Sequence, residues 1–100
     1  MIVVIQGRLS PDPNGLFQFF PESWEAEFAI AKLLGFEGIE WLFDWRDFQS
    51  NPILGKLNNL VSLPIRTICV DYLMKNKLTG KDAQKVASIL QELLCKADAL

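Results

Sequence analysis

Two carboxylates stand inside runs that otherwise have the composition of buried strands. Glu40 lies in FEGIEWLFD, residues 36–44, and Asp71 lies in IRTICVDYLM, residues 65–74. An ionised carboxylate in a dry interior costs several kcal/mol unless it is paired, hydrogen-bonded or bound to a metal. Each acid therefore marks either a structural partner or a pocket. Side chains alternate along a strand, so Ile39, Trp41 and Phe43 share one face and Glu40, Leu42 and Asp44 the other. The aromatic set is expected to meet a helix layer and Glu40 the opposite, interior face. Two roles are open to Glu40: an ion pair with Arg8 or Arg66, or a place in a substrate site.

Asp71 falls where its run ends, at the carboxyl end of a strand, which is where parallel α/β folds place their ligands. A turn or capping aspartate is the alternative, and Tyr72 beside it is suited to wall a pocket or to cover the core. The first apolar run ends VIQGRLSP, which sets Gln6 and Arg8 at the same kind of edge, with Gly7 between them leaving room for close approach. An arginine there can grip a carboxylate or phosphate in two-pronged fashion, or stand solvated in a loop. The segment SPDPNGLFQFFPE that follows is long for a strand-to-helix connection and carries Phe17, Phe19 and Phe20, which either roof the mouth of a site or cap the core. Gln6, Arg8, Glu40, Asp71 and Tyr72 are thus the candidate substrate-binding set. No metal ligand is assigned among these residues.

The elements that would position this set repeat as strand then helix. IVVIQ (2–6), GIEWLF (38–43) and IRTICV (65–70) are short, β-branched or aromatic runs of the kind that suits a parallel sheet covered on both faces. A helix over Trp24 to Leu34 is predicted, capped by Ser23 and ended by Gly35, with Phe36 folding back onto its last turn. Asn51-Pro52 starts a second helix that runs until Leu63-Pro64. Thr79 and Asp82 form the capping box of a third, which carries Val86, Ile89, Leu90, Leu93, Leu94 and Ala97 at helical spacing. Strand starts near 2, 38 and 65 give a repeat of roughly 30 residues, close to one eighth of a (β/α)8 barrel of about 250 residues.

The fold class expected is therefore α/β, three successive βα units with a parallel sheet, forming the opening part of a TIM barrel. Residues 1–100 are expected to make one domain of that kind, the incomplete N-terminal part of a barrel, because three units do not close one and CKADAL ends a helix with no fourth strand after it. A free-standing doubly wound domain is the rival, but no GxGxxG or GxxxxGK[ST] follows the first strand.

Composition narrows the partners. The chain is half hydrophobic with mean hydropathy +0.17, greasy for 100 residues, so some apolar surface is expected to want a cover. No apolar run reaches the ~18–20 residues that span a bilayer, and MIVVIQGRLS lacks the basic start and cleavage site of a leader, which reads as soluble and cytoplasmic. A net charge of −2 with scattered Lys and Arg offers no phosphate-backbone footprint, which argues against nucleic acid. Histidine, the commonest general base and zinc ligand, is absent, and Cys69 and Cys95 are expected to be buried free thiols.

IQGRLSP, then FQFFPESWEAEFAIAKLLGFEGIEWLFD, then NP and ICVDYLM together resemble the opening third of the xylose isomerase-like TIM-barrel proteins, the sugar phosphate isomerases and epimerases, which are related in fold to metal-dependent endonucleases of base-excision repair. The similarity runs over nearly the whole chain, and GFEGIEW together with GRLSP carries most of it. It implies an eight-stranded barrel, a divalent cation at its carboxyl-end face, and proton transfer next to a sugar carbonyl or at a carbinol carbon. It matches Glu40 to an acidic pocket residue of strand two and Asp71 to a polar position at the end of strand three. The family's metal ligands, typically Glu, Asp, His and Glu, come from later strands, so the cation belongs to the full-length protein and this piece alone is expected to be inactive.

A small-molecule sugar or sugar phosphate is the partner so implied. The acidic pI and the missing histidines weigh against the endonuclease branch. The alternative is a small non-catalytic α/β module that self-associates, or binds a partner, through open sheet edges and barrel-facing apolar residues such as Val4 and Leu42.

Overall fold

The computed structural model describes residues 1–11, 15, 18–46, 48–55, 57 and 63–98. Packing divides the chain into two compact units, Met1–Leu42 with Asn59–Cys69 and Phe43–Asn58 with Val70–Leu100.

The first unit is a parallel sheet with a helix. Strands β1 (Val3–Ile5), β2 (Gly38–Leu42) and β3 (Ile65–Cys69) pair in the order β1-β2-β3, with β2 central, as expected for successive βα units. β1 pairs Val3, Val4 and Ile5 with Gly38, Ile39 and Glu40. It is shorter than the run 2–6, because Gly7 turns the backbone to φ +96° directly after Gln6. Between Ile39 and Glu40 the pairing with β3 shifts: Ile39 faces Ile65 and Glu40 faces Thr67, leaving Arg66 as the extra residue of a bulge. Gly38 makes room there, since a Cβ would come within 2.5 Å of Arg66 Cγ and 3.0 Å of the Pro64 carbonyl.

Helix α1 (Trp24–Leu34) has the predicted limits. Gly35 ends it at φ +92°, and the amides of Gly35 and Phe36 donate to the carbonyls of Lys32 and Ala31 at 3.2 and 3.0 Å, a Schellman-type close. The start differs from expectation. Ser23 makes no side-chain cap; its carbonyl instead accepts from the amides of Ala26 and Glu27. Phe28 and Ala31 bury against β2, where Trp41 meets Trp24 and Phe20 at ring-centroid distances of 5.4 Å each and Phe28 at 6.3 Å. Full burial of side chains this size stabilises by about 1.5–3 kcal/mol each, and this aromatic group is the core of the unit.

In the second unit Phe43, Phe48 and Tyr72 form a mutually tilted aromatic cluster, the closest pair 4.7 Å apart, and the Tyr72 amide donates to the Phe43 carbonyl at 2.8 Å. Short 3₁₀ turns span Phe48–Ser50, Pro52–Leu54 and Asp71–Met74. Asn51 caps the middle one, its side chain accepting from the Ile53 amide at 3.1 Å, as the Asn-Pro signal predicts. The long helix expected after it does not continue through Gly55, whose φ −104° and ψ −136° leave the helical region. Residues 56 and 58–62 of that expectation lie outside the described residues.

Helix α2 (Ala83–Asp98) starts four residues after Thr79, because Gly80 sits at φ +90° and cannot lie in a helix; Asp82 takes the flanking place and accepts the Val86 amide at 3.0 Å. Val86 and Leu93 are its buried residues, and it packs on the Pro52–Leu54 turn beside buried Ile53 and Leu57. Leu94, on the predicted apolar stripe, is 65% exposed. No helix is long and apolar enough to cross a membrane among the described residues. Neither cysteine forms a disulfide among the described residues, and the expected burial does not hold: Cys69 is half-buried and Cys95 exposed.

Candidate functional site

At the carboxyl end of β1 two side chains finish what the backbone leaves open. The parallel ladder reaches the bond from the Gln6 amide to the Glu40 carbonyl, 3.1 Å. The Gln6 side chain then takes the following rung, its Oε1 accepting from the Leu42 amide at 2.8 Å. Gln6 is fully buried, and its Nε2 has no hydrogen-bond partner among the described residues. A buried amide donor left unsatisfied costs about 1–3 kcal/mol, so this atom marks a place for an acceptor.

The second side chain is Glu27 of α1, 1% exposed. Both its oxygens lie 3.0 Å from the Gly7 amide, and Oε2 also accepts from the Leu9 amide at 3.0 Å. A buried carboxylate satisfied by backbone donors is tolerable where a bare one is not. It ties the turn Gly7–Leu9, which carries Arg8, to the first turn of α1. Arg8 itself is exposed. Gly7 admits no larger residue without displacement, since a Cβ would stand 2.8 Å from the Phe19 carbonyl oxygen.

Glu40 sits on the face away from α1, as the alternation predicts: Trp41 packs on α1, and Glu40 pairs across to Thr67, whose Oγ1 donates to Glu40 Oε1 at 2.8 Å. Opposed residues of neighbouring strands share a face, so Ile5, Glu40 and Thr67 form one row and Leu42 and Cys69 lie beyond it. The same pairing corrects one expectation: Val4 lies opposite Ile39 and so belongs to the α1 side. Gln6, at the carboxyl end of β1 as expected, turns its side chain along the sheet edge to the Leu42 amide. Glu40 is not locked to an arginine. Among the described residues the one ion pair is Asp44 with Arg46, at 2.8 Å, and the acid that settles its charge structurally is therefore Asp44.

That pair lies in the second unit. Arg46 Nη1 reaches both oxygens of nearly buried Asp44, the Arg46 amide donates to Oδ1 at 3.2 Å, and the guanidinium stands 4.6 Å from the centroid of the Trp45 ring. Asp71 and Tyr72 open the 3₁₀ turn that follows Val70, both buried. The Tyr72 ring is enclosed by Phe43 and Phe48, and burial pushes its hydroxyl pKa up from the ordinary value. Packing places Gln6, Arg8 and Glu40 in one unit and Asp71 and Tyr72 in the other.

Glu27 and Asp44 went unnoticed in sequence. Glu27 falls on a helix face between Trp24 and Ala31, where a first-turn acid is ordinary. Its partners are backbone amides, which leave no residue signature. Asp44 was assigned only a strand face; the Asp-Trp-Arg spacing was its available signal. Among the described residues no group of three or more His, Cys, Asp or Glu is placed to hold a metal ion. Compared with protein-family models, curated proteins and solved structures, the chain matches none.

Proposed function

We propose that this chain supplies the first three βα units of a (β/α)8 barrel that acts as a sugar or sugar phosphate isomerase or epimerase, with Gln6, Arg8 and Glu40 in its substrate shell. The observation that carries this reading is Glu40: a strand carboxylate facing away from the helix layer, bonded to a threonine hydroxyl and to no cation among the described residues. A carboxylate with a remaining oxygen and a hydroxyl beside it can accept and relay hydrogen bonds from a polyol. In this reading Gln6 Nε2, which has no acceptor among the described residues, adds a buried donor behind the pocket at the end of β1. Strand order β1-β2-β3, all parallel, is what the start of such a barrel requires.

The family's reaction uses a divalent cation to polarise the substrate oxygens. The described residues do not fit such a cation. In this reading its ligands come from outside these hundred residues. The test is exchange of the carbon-bound proton of ketoses and ketose phosphates in heavy water by the barrel protein that carries this chain. Glu40→Gln should lose most of that exchange while keeping its melting temperature. Unchanged exchange, or none with the unaltered protein across the panel, defeats the proposal.

A non-catalytic module that self-associates is the second reading, favoured by the apolar residues Met1, Ile2, Leu33 and Leu34 of the first unit, all at least 62% exposed. Light scattering separates the two: concentration-dependent association of the chain that Leu33→Glu with Leu34→Glu abolishes belongs to the module.

A further inference from the structure

Glu40 faces a threonine because of an irregularity in the sheet. Carried on in the register of its first pair, Ile39 with Ile65, β3 would set Arg66 opposite Glu40, and facing residues of opposite charge attract. The bulge takes Arg66 out of the row and brings Thr67 into it. Gly38 permits this: a Cβ there would collide with Arg66 Cγ, so the stem of the arginine occupies the space the glycine leaves, two residues before Glu40. The result is a hydroxyl, not a guanidinium, on the carboxylate, with Thr67 Oγ1 donating to Glu40 Oε1 at 2.8 Å. Among the described residues no cation pairs with Glu40. Thr67 is exposed and Glu40 half-buried, so the pair can be reached from solvent.

We infer that Thr67 is a positioning residue: set opposite Glu40 by the Arg66 bulge, its hydroxyl holds Oε1 and leaves Oε2 as the oxygen that meets substrate. The inference rests on the reading of Glu40 as part of the substrate shell and adds to it the group that aims the carboxylate. A glutamate needs such a group, since the terminal torsion of its side chain is broad and roughly two-fold, whereas a β-branched threonine is stiff at its first torsion and holds its hydroxyl in few directions. The hydroxyl has a single proton and gives it to Oε1, so toward a ligand the pair offers lone pairs only, and the ligand must bring the donor. An arginine in the same place would have taken both carboxylate oxygens and left none to a ligand.

The test compares Thr67→Val, which keeps the shape and removes the hydroxyl, with Thr67→Ser, which keeps the hydroxyl. In the full chain the carboxyl-carbon shift of Glu40, read by NMR at neutral pH, should move in Thr67→Val and stay in Thr67→Ser. In the barrel protein that carries this chain, kcat/KM for exchange of the carbon-bound proton should fall about tenfold in Thr67→Val, return to within about threefold of the parent in Thr67→Ser, and fall no further when Thr67→Val is added to Glu40→Gln. Arg66→Gln should leave both readouts unchanged. A carboxyl signal that ignores the loss of the hydroxyl overturns the positioning role, whether or not the protein is active. A signal that moves as expected in a protein without exchange activity refutes the substrate-shell reading instead, and the inference falls with it. Equal losses with and without the Glu40 carboxylate, or a loss in Arg66→Gln as large as in Thr67→Val, would also overturn it.

Discussion

Glu27 anchors the turn at the end of β1, and removing it should be among the most damaging single changes in the first unit. Its carboxylate accepts two buried or half-buried backbone donors, the amides of Gly7 and Leu9, at 3.0 Å. Glu27→Ala would leave both donors without an acceptor, at about 1–3 kcal/mol each, and would also open a void under the turn. A total cost of about 3–5 kcal/mol is expected, a large part of the ~5–15 kcal/mol that holds an ordinary domain together. Glu27→Gln keeps one acceptor but turns an NH2 group toward an amide donor, for about 2–3 kcal/mol. The neighbouring first-turn acid Glu25 is exposed and controls for the helix dipole: Glu25→Gln should cost under about 0.5 kcal/mol. Urea denaturation of the three variants measures these values, and hydrogen exchange at Gly7 and Leu9 should accelerate in both Glu27 variants. A Glu27→Ala protein within about 0.5 kcal/mol of the parent would refute the anchoring role.

Gly7→Ala should cost about 1–3 kcal/mol by chemical denaturation, because the new Cβ would meet the Phe19 carbonyl at 2.8 Å in a left-handed backbone. Glu40→Gln should change stability by less than about 1 kcal/mol, since an amide oxygen can still accept from Thr67 and no arginine would be stranded; a larger loss would revive the ion-pair reading. Tyr72 is the single tyrosine, so phenolate absorbance reports it alone: it should titrate later in the folded chain than in urea. The folded pKa is raised, so the unfolded state loses this proton first. Stability from this group is complete below pH ~10 and falls as pH rises beyond it; Tyr72→Phe should lose that component of the alkaline decline.

How far the sequence could be read depended on whether a feature was local. The limits of α1 were legible because Gly35 and the spacing of Trp24, Phe28 and Ala31 are signals within one element. The parallel strands and the two faces of β2 followed from runs of β-branched and aromatic residues. The second helix failed at Gly55, where a glycine inside an otherwise periodic pattern proved to be a break, and α2 began late because Gly80 outweighed the Thr79–Asp82 spacing. The end of β1 at Gln6 was legible from Gly7, but the bond from the Leu42 amide to the Gln6 side chain was not, since it depends on where β1 stops relative to β2. The Glu27 anchor joins residues about twenty apart through main-chain amides, and no residue pattern announces such a bond.

The three tryptophans divide unevenly between the units, and that gives each its own optical reporter. Trp24 and Trp41 stand edge to face in the first unit, Trp41 wholly shielded from solvent, whereas Trp45 in the second is flanked by the cations of Arg46 and Lys75. Trp41 should emit at shorter wavelength and resist iodide, while half-buried Trp45 should be open to anionic quenchers drawn in by the cations at its ring. A Trp45→Phe chain leaves only first-unit emission, and its unfolding curve, laid over one from helical circular dichroism to which both α1 and α2 contribute, tells whether the two units melt as one cooperative body or in sequence.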